Sequence, residues 1–109
     1  MALANWTYVC ERCGHRESLD SRAWRCPACE AAFALDGPNQ LAPESINVSD
    51  NSLWRYEQIL PARREDGTFL GEGMTPLVAG RLAGRDVWFK LDSLLPTSSF
   101  KDRGAAVFT

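Results

Sequence analysis

Four cysteines in the first third of the chain have the type and spacing of a metal site. They form two Cys-x-x-Cys pairs with twelve residues between them: Cys10, Cys13, Cys26 and Cys29. Each pair can point two sulfurs at one ion from a tight turn, and two pairs complete a tetrahedral site of four thiolates. Gly14 follows the first pair and suits the φ > 0 position at which the chain would leave this turn. The spacing predicts zinc in a structural role, because four thiolates leave no open coordination position.

Other uses of these cysteines stay open. Iron also binds four thiolates, and the ligand geometry alone does not separate iron from zinc. Disulfides suit a secreted protein, and a redox dithiol needs one pair beside a βαβ pattern, which neither pair has. His15 is the only histidine. We predict a solvated side chain rather than a ligand, because the thiolates already fill the tetrahedral shell.

Short strands are predicted beside the two cysteine turns, over residues 7–9, 22–25 and 32–35. With the metal they would make residues 1–35 a small β zinc ribbon. Basic and aromatic residues interleave in this region, a combination that could stack bases and neutralise phosphates. Acidic residues nearly cancel the arginines, and the whole chain has a formal net charge of −2. The electrostatic footprint of a nucleic-acid or membrane partner is therefore missing, and neither partner is expected.

An amine near the end of the sequence is the second group that could do chemistry. Residues 86–91 read as a buried strand, which Pro96 separates from the hydroxyl residues that would cap a helix. Lys101 would lie in the first turn of that helix, where burial favours the free amine, the nucleophile that forms an imine. The alternative is an exposed lysine paired with Asp92 or Asp102, since lysine is almost never fully buried.

The residues around this lysine resemble the Schiff-base lysine motif of fold-type-II pyridoxal-phosphate enzymes, Pro-Thr-Gly-Ser-Phe-Lys-Asp-Arg-Gly. Residues 96–104 differ from it only at Ser98, where the family usually has glycine, a residue that often marks φ > 0. Residues 71–77, Gly-Glu-Gly-Met-Thr-Pro-Leu, are similar to a segment typical of threonine synthases. The spacing between the two segments suits that family, and the cysteine-rich front matches the N-terminal part of some of its members.

The resemblance implies a reaction and a set of site residues. Lys101 would bind pyridoxal phosphate, which acts as an electron sink while O-phosphohomoserine and water become threonine and phosphate. Phe100 and Ser99 would contact the cofactor beside Lys101, and Thr75 would line the substrate pocket. Three residues would hold the lysine in place: Ser99, Asp102 and Arg103. The alternatives are another pyridoxal-phosphate enzyme of β- or γ-replacement or elimination, such as cysteate synthase or threonine deaminase, or a zinc-stabilised structural or interaction module.

The remaining segments are predicted to connect and support these two regions. Residues 36–51 are rich in turn formers without periodicity, which indicates a linker. Residues 53–60 have helical spacing, with Ser49, Asp50 or Ser52 as the N-cap. A strand at 77–78 and a turn at 81–84 complete the pattern. The predicted fold is a small β zinc ribbon followed, over residues 52–109, by the incomplete N-terminal part of an α/β fold-type-II pyridoxal-phosphate domain.

The resemblance also predicts that this chain is an N-terminal fragment without activity of its own. A complete enzyme of the family is several times longer and has a glycine-rich phosphate loop after the lysine, whereas this sequence ends inside the predicted helix without a C-cap signal. We expect residues 50–109 to be partly disordered, because parallel strands need neighbours on both sides. Without a signal peptide or a bilayer-length apolar run, the expected location is cytoplasmic. The expected partner is a small amino-acid substrate, and a homo-oligomeric parent enzyme is an open expectation.

Overall fold

The structure is a computed structural model that describes residues 5–66 and 69–108. Its strands and helix are β1 (Thr7–Cys10), β2 (Arg16–Glu17), β3 (Phe33–Asp36), β4 (Leu77–Leu82), β5 (Arg85–Lys90) and α1 (Asp102–Phe108). Short 3₁₀ helices cover Pro43–Ser45, Leu53–Ile59, Arg64–Asp66 and Asp92–Leu94. Within these described residues, no helix has the length and apolar character that a bilayer span requires.

The first sheet has the cysteine turns at one of its ends. It has three antiparallel strands in the order β2-β1-β3, with Tyr8 of β1 opposite Glu17 and Leu35. The predicted strands at 7–9 and 32–35 are confirmed, but the one at 22–25 is wrong. Both edges of β1 are already paired, so residues 22–25 have no edge of that strand left to join. Trp24 in this segment is 79% exposed, and its ring is covered by the Arg25 guanidinium at 4.4 Å rather than by the sheet.

The predicted helix at 53–60 forms a 3₁₀ helix, Leu53–Ile59, with a kink at Tyr56 (φ −106°). Ser52 is the N-cap, because its side chain accepts a hydrogen bond from the Trp54 backbone N–H at 3.2 Å. A 3₁₀ helix has three residues per turn, so the side chains that share a face differ from those of an α-helix. Leu53 and Trp54 are consequently buried, whereas Tyr56 of the expected apolar stripe is exposed.

An apolar cluster joins this 3₁₀ helix to α1. Leu53 and Trp54 pack with Ala106, and Phe69 lies edge-on to Trp54 with ring centroids 6.5 Å apart. The preceding segment, 37–51, is irregular apart from Pro43–Ser45, whereas Asp36, the first residue of the predicted linker, belongs to β3. The division into domains at residues 35 and 51 stays a prediction.

The second sheet is an antiparallel hairpin of β4 and β5, with Leu77 opposite Lys90 and Leu82 opposite Arg85. Its two-residue turn has positive φ at both Ala83 (50°) and Gly84 (78°), as a type I′ turn requires. The predicted turn is therefore confirmed, and so is a strand over residues 86–90 of the predicted 86–91. Its expected burial is wrong, since Trp88 is 69% exposed. Within the described residues no other strand pairs with the hairpin. The pyridoxal-phosphate α/β architecture and the partial disorder of residues 50–109 stay predictions.

Candidate metal centre and lysine site

The four cysteine sulfurs converge at one end of the first sheet. All of them lie within 4.8 Å of one another. The Sγ atoms of Cys10 and Cys29 are 3.4 Å apart, and those of Cys13 and Cys26 are 3.5 Å apart. Tetrahedral zinc with Zn–S bonds of about 2.3 Å places its sulfurs roughly 3.8 Å from one another. The four cysteines could therefore hold one metal ion of this size.

The two cysteine turns have the same backbone geometry. In each, the residue four positions after the first cysteine donates its N–H to that cysteine's carbonyl: Gly14 to Cys10 and Glu30 to Cys26, both at 2.8 Å. Gly14 has φ 75°, as its position in the sequence predicted, and Glu30 has φ 63°. Sequence reasoning missed the strained position of Glu30, although its equivalent place in the second turn could have revealed it.

Hydrogen bonds within the cluster push the thiol pKa values apart. The Cys13 backbone N–H lowers the pKa of Cys10 to about 6. The His15 backbone N–H favours the Cys13 thiolate, but the Cys26 and Cys29 thiols and burial outweigh it and raise the pKa of Cys13 to about 12. A backbone N–H two residues further on likewise favours the Cys29 thiolate, yet the Cys10 thiol and burial raise the pKa of Cys29 overall. A metal ion would have to displace protons from these thiols.

His15 interacts with a carboxylate rather than with the sulfurs. Its Nε2 lies 2.7 Å from Oε1 of Glu17, and this hydrogen bond holds the pKa of Glu17 below its usual value. The histidine does not belong to the group of converging ligands.

The lysine of the second candidate site directly precedes α1. Ser99 Oγ accepts a hydrogen bond from the Lys101 backbone N–H at 3.2 Å, which confirms a hydroxyl cap at this junction. The side chains of Lys101 and Phe100 are exposed. The expected burial of the amine is therefore wrong for this chain, because no described element covers that side of the turn. The assignment of Lys101, Ser99 and Phe100 to a cofactor stays a prediction.

The turn before Lys101 is closed by side-chain hydrogen bonds. The buried Asp102 carboxylate accepts from the Thr97 N–H at 2.8 Å and from the Thr97 hydroxyl. Ser98, at the position where the motif has glycine, keeps a positive φ of 62°, and its N–H donates to the Leu95 carbonyl at 2.8 Å. The glycine-type conformation is thus retained with serine in place.

A polar network connects the two segments that carry the family resemblance. Arg103 donates from Nη1 to Asp92 Oδ2 at 2.7 Å and from Nη2 to Thr75 Oγ1 at 3.0 Å. Thr75 Oγ1 in turn donates to Asp92 Oδ1 at 2.8 Å, and Lys90 Nζ donates to the Thr75 carbonyl. The hydrogen bonds from Arg103 and Thr75 hold the pKa of Asp92 below its usual value.

Neither acid named as a partner for Lys101 is paired with it. Asp102 accepts from Thr97, and Asp92 accepts from Arg103. Thr75 is buried with its hydroxyl inside the network, and its assignment to a substrate pocket stays a prediction. Sequence reasoning missed the role of Lys90. The hairpin register could have indicated it, because Lys90 pairs with Leu77, two residues after Thr75.

The loop before β4 is held close to the 3₁₀ helix. The Leu53 N–H donates to the Glu72 carbonyl at 2.6 Å, and the buried Glu72 carboxylate accepts from the Leu70 N–H. Gly73 has φ 126°, and a Cβ atom there would lie 2.4 Å from the Leu53 nitrogen. Only glycine fits this approach, so the loop is the tight turn that its two glycines predicted.

Two curated proteins are similar to this chain, whereas no protein-family model and no solved structure matches it. The threonine synthase of Methanosarcina acetivorans is 30% identical over 106 residues, which cover 90% of this chain and 26% of that protein. The threonine synthase of Methanocaldococcus jannaschii is 28% identical over 109 residues, which cover 90% of this chain and 27% of that protein. The chain spans about a quarter of the length of these relatives. The resemblance read from the motifs is thereby confirmed: over nine-tenths of its length this chain is similar to threonine synthases, and its four cysteines lie close enough together to form a zinc site.

Proposed function

We propose that this chain is the N-terminal portion of a threonine synthase-like enzyme that uses pyridoxal phosphate to convert O-phosphohomoserine and water into threonine and phosphate. The observation that carries the proposal is the hydrogen-bonded link from Arg103 to Thr75. It brings the loop typical of threonine synthases against the helix that begins directly after Lys101. The similarity to two threonine synthases supports the same assignment.

The residues present fit one part of a pyridoxal-phosphate site. Lys101 offers an exposed primary amine on a turn that Ser99 and Asp102 fix from either side. When bound, the cofactor supplies an electron sink for carbanion chemistry. Lys101 would attach it through Nζ and, once released, carry protons on that atom between carbons of the substrate. Ser99 and Phe100 would flank the cofactor, and the Thr75 network would hold the adjoining loop.

The four-cysteine cluster has a structural role in this proposal. A zinc ion bound by Cys10, Cys13, Cys26 and Cys29 would fasten the two turns of the first sheet, and four thiolates would leave it no open position for catalysis. We further propose a cytoplasmic enzyme with a small amino-acid substrate, without a nucleic-acid or membrane partner, whose intact form is homo-oligomeric. Because the chain spans about a quarter of its relatives, the isolated chain is proposed to be inactive.

The test uses the chain extended by the downstream residues of its reading frame. With pyridoxal phosphate, the extended protein should show a visible absorbance band and release phosphate from O-phosphohomoserine with threonine as the product. Lys101→Ala should abolish both signals. Lys90→Arg, at the only other lysine of residues 1–109, should keep the band.

Two results would overturn the assignment. The band could survive Lys101→Ala, or the protein could bind no pyridoxal phosphate. A cofactor-loaded protein that consumed threonine, or formed cysteate without releasing threonine, would instead favour the related deaminase or cysteate synthase chemistry.

A further inference from the structure

A small cleft opens where four segments of the second half meet. Its volume is about 260 Å³, and its lining comes from the 3₁₀ helix, the loop before β4, the end of β5 and α1: Leu53, Tyr56, Gly73, Met74, Lys90 and Arg103. Lys101 does not line it. The cleft is therefore separate from the amine proposed to bind the cofactor, although Arg103 belongs both to its lining and to the network beside that amine.

The charges around this cleft are mostly positive. Lys90 and Arg103 lie in the lining, and Arg55 reaches its edge, where Nη1 lies 2.8 Å from the Met74 sulfur. One carboxylate, Asp92, accepts from Arg103 and offsets part of this charge. The Arg55 charge is offset by the Asp50 carboxylate, whose pKa it helps to lower. The two lining cations against the one carboxylate of Asp92 leave the lining locally positive in a chain whose formal net charge is −2. The field in the cleft thus favours an anion.

Hydrogen-bond donors remain for that anion. A lysine ammonium has three donors and a guanidinium has five. Among the described residues, Lys90 uses one donor on the Thr75 carbonyl, and Arg103 uses two on Asp92 and Thr75. The internal bonds fix the positions of both cationic groups while leaving donors on each. This arrangement is preorganised, so a ligand would not need to order either side chain itself.

The other walls of the cleft are apolar. Leu53, Tyr56 and Met74 face the same space as the two cations. A volume of 260 Å³ lies just below the ~300–1,000 Å³ typical of small-molecule sites, which indicates a ligand with few non-hydrogen atoms. Apolar walls disfavour a bare, strongly hydrated ion such as inorganic phosphate, because that ion would lose water without gaining contacts.

We propose that this cleft binds a short-chain organic acid, with its carboxylate between Lys90 and Arg103 and its aliphatic tail against Leu53 and Tyr56. Charge-assisted hydrogen bonds would hold the carboxylate, and burial of the tail would add the hydrophobic contribution. The proposal rests on the cleft alone. If the cleft bound no organic acid, the proposed role of Lys101 would still stand. If Lys101 bound no cofactor, the proposal for the cleft would still stand.

The test is a titration of the zinc-loaded protein, extended by the downstream residues of its reading frame, followed in ¹H–¹⁵N correlation spectra. Butyrate should give saturable shifts centred on residues 53–56, 73–74 and 90. 1-Butanol, which has the tail without the charge, and inorganic phosphate, which has charge without the tail, should each bind at least about five-fold more weakly. Lys90→Gln should weaken butyrate binding at least about five-fold, because it removes one cation while keeping a polar side chain of similar reach.

Arg81→Gln is the matched control. It removes one positive charge from the same hairpin. Arg81 lies opposite Asp86, near the turn, whereas Lys90 lies opposite Leu77 at the other end of the hairpin. It should leave butyrate affinity unchanged. If Lys90→Gln loses its dispersed spectrum, Met74→Ser replaces it and should weaken butyrate without affecting phosphate. An absence of saturable shifts in the folded chain would overturn the proposal, and so would equal losses in Lys90→Gln and Arg81→Gln.

Discussion

The carboxylate of Asp102 accepts two hydrogen bonds from Thr97, one from the backbone N–H and one from the hydroxyl. These bonds span the turn in which Ser98 has φ 62°. The Ser99 hydroxyl accepts a hydrogen bond from the Lys101 N–H, so contacts within residues 97–102 fix the backbone on both sides of the lysine. The backbone conformation at Lys101 thus depends on local hydrogen bonds rather than on packing against distant segments.

Replacing Ser98 by glycine should stabilise this turn. A side chain at φ 62° costs about 1–2 kcal/mol, while glycine loses roughly 0.5–1 kcal/mol more backbone entropy on folding. We expect Ser98→Gly to raise the free energy of unfolding by about 0.5 kcal/mol, measured by urea denaturation. Ser99→Ala, which removes the cap one residue away, should lower it by about 1 kcal/mol. A loss of stability in Ser98→Gly would contradict the strain at this position.

Two glycines with positive φ should respond differently to alanine. At Gly84 a Cβ atom would meet nothing within 4 Å, so Gly84→Ala should cost only the backbone strain of about 1–2 kcal/mol. At Gly73 it would lie 2.4 Å from the Leu53 nitrogen, which adds overpacking of about 1–3 kcal/mol. Urea denaturation should therefore give Gly73→Ala a clearly lower free energy of unfolding than Gly84→Ala. Equal losses would show that the loop is not held against the 3₁₀ helix.

Asp92 should make stability depend on pH in the acid range. Hydrogen bonds from Arg103 and Thr75 hold its folded pKa below the unfolded value. Its contribution is therefore present above the unfolded pKa of about 3.9 and is lost as pH falls through the lower folded pKa. At pH 7, Asp92→Asn should unfold at lower urea concentration than the parent chain, and the two should converge as the pH falls below the folded pKa of Asp92.

The control for this titration is Asp86→Asn. Asp86 lies 3.4 Å from Arg81, and its side chain is 92% exposed, so its removal should change the midpoint little at any pH. Metal loss in acid would affect all three chains alike. If the urea midpoints of Asp92→Asn and the parent chain differed by the same amount at every pH, the role of Asp92 would be refuted.

The cysteine cluster should bind one zinc ion per chain and release protons as it does so. In the metal-free cluster the pKa of Cys13 is raised to about 12 and that of Cys29 is also raised, so both thiols are protonated at pH 7. Binding should release at least these two protons, measured calorimetrically in buffers of different ionisation enthalpy. Zinc affinity should accordingly fall steeply as the pH is lowered.

Variants of the cysteine cluster distinguish the residues that bind the metal from residues that only lie near it. Cys26→Ser should abolish stoichiometric binding and the thiolate-to-metal absorbance of the cobalt-substituted chain, because it removes one of the four converging ligands. His15→Ala should retain both, since that ring contacts Glu17. Loss of binding in His15→Ala, or retention in Cys26→Ser, would show that a different ligand set holds the metal.

The sequence alone determined the features that depend on local spacing. The two Cys-x-x-Cys pairs, the positive φ at Gly14, the hydroxyl cap before α1 and the turn ending at Gly84 follow from short-range steric and hydrogen-bonding rules. The resemblance to threonine synthases was also readable from residues 71–77 and 96–104, and the similarity to two curated threonine synthases confirms it.

Only the tertiary structure decided which elements cover one another. Residues 86–91 are apolar enough for a buried strand, yet whether Trp88 is covered depends on neighbours that periodicity cannot specify. The strand expected at 22–25 failed for a related reason, since both edges of β1 were already paired. The link from Arg103 to Asp92 and Thr75 joins residues 11 and 28 positions apart. Such contacts depend on how the segments pack in three dimensions, and the spacing of residues along the chain does not predict them.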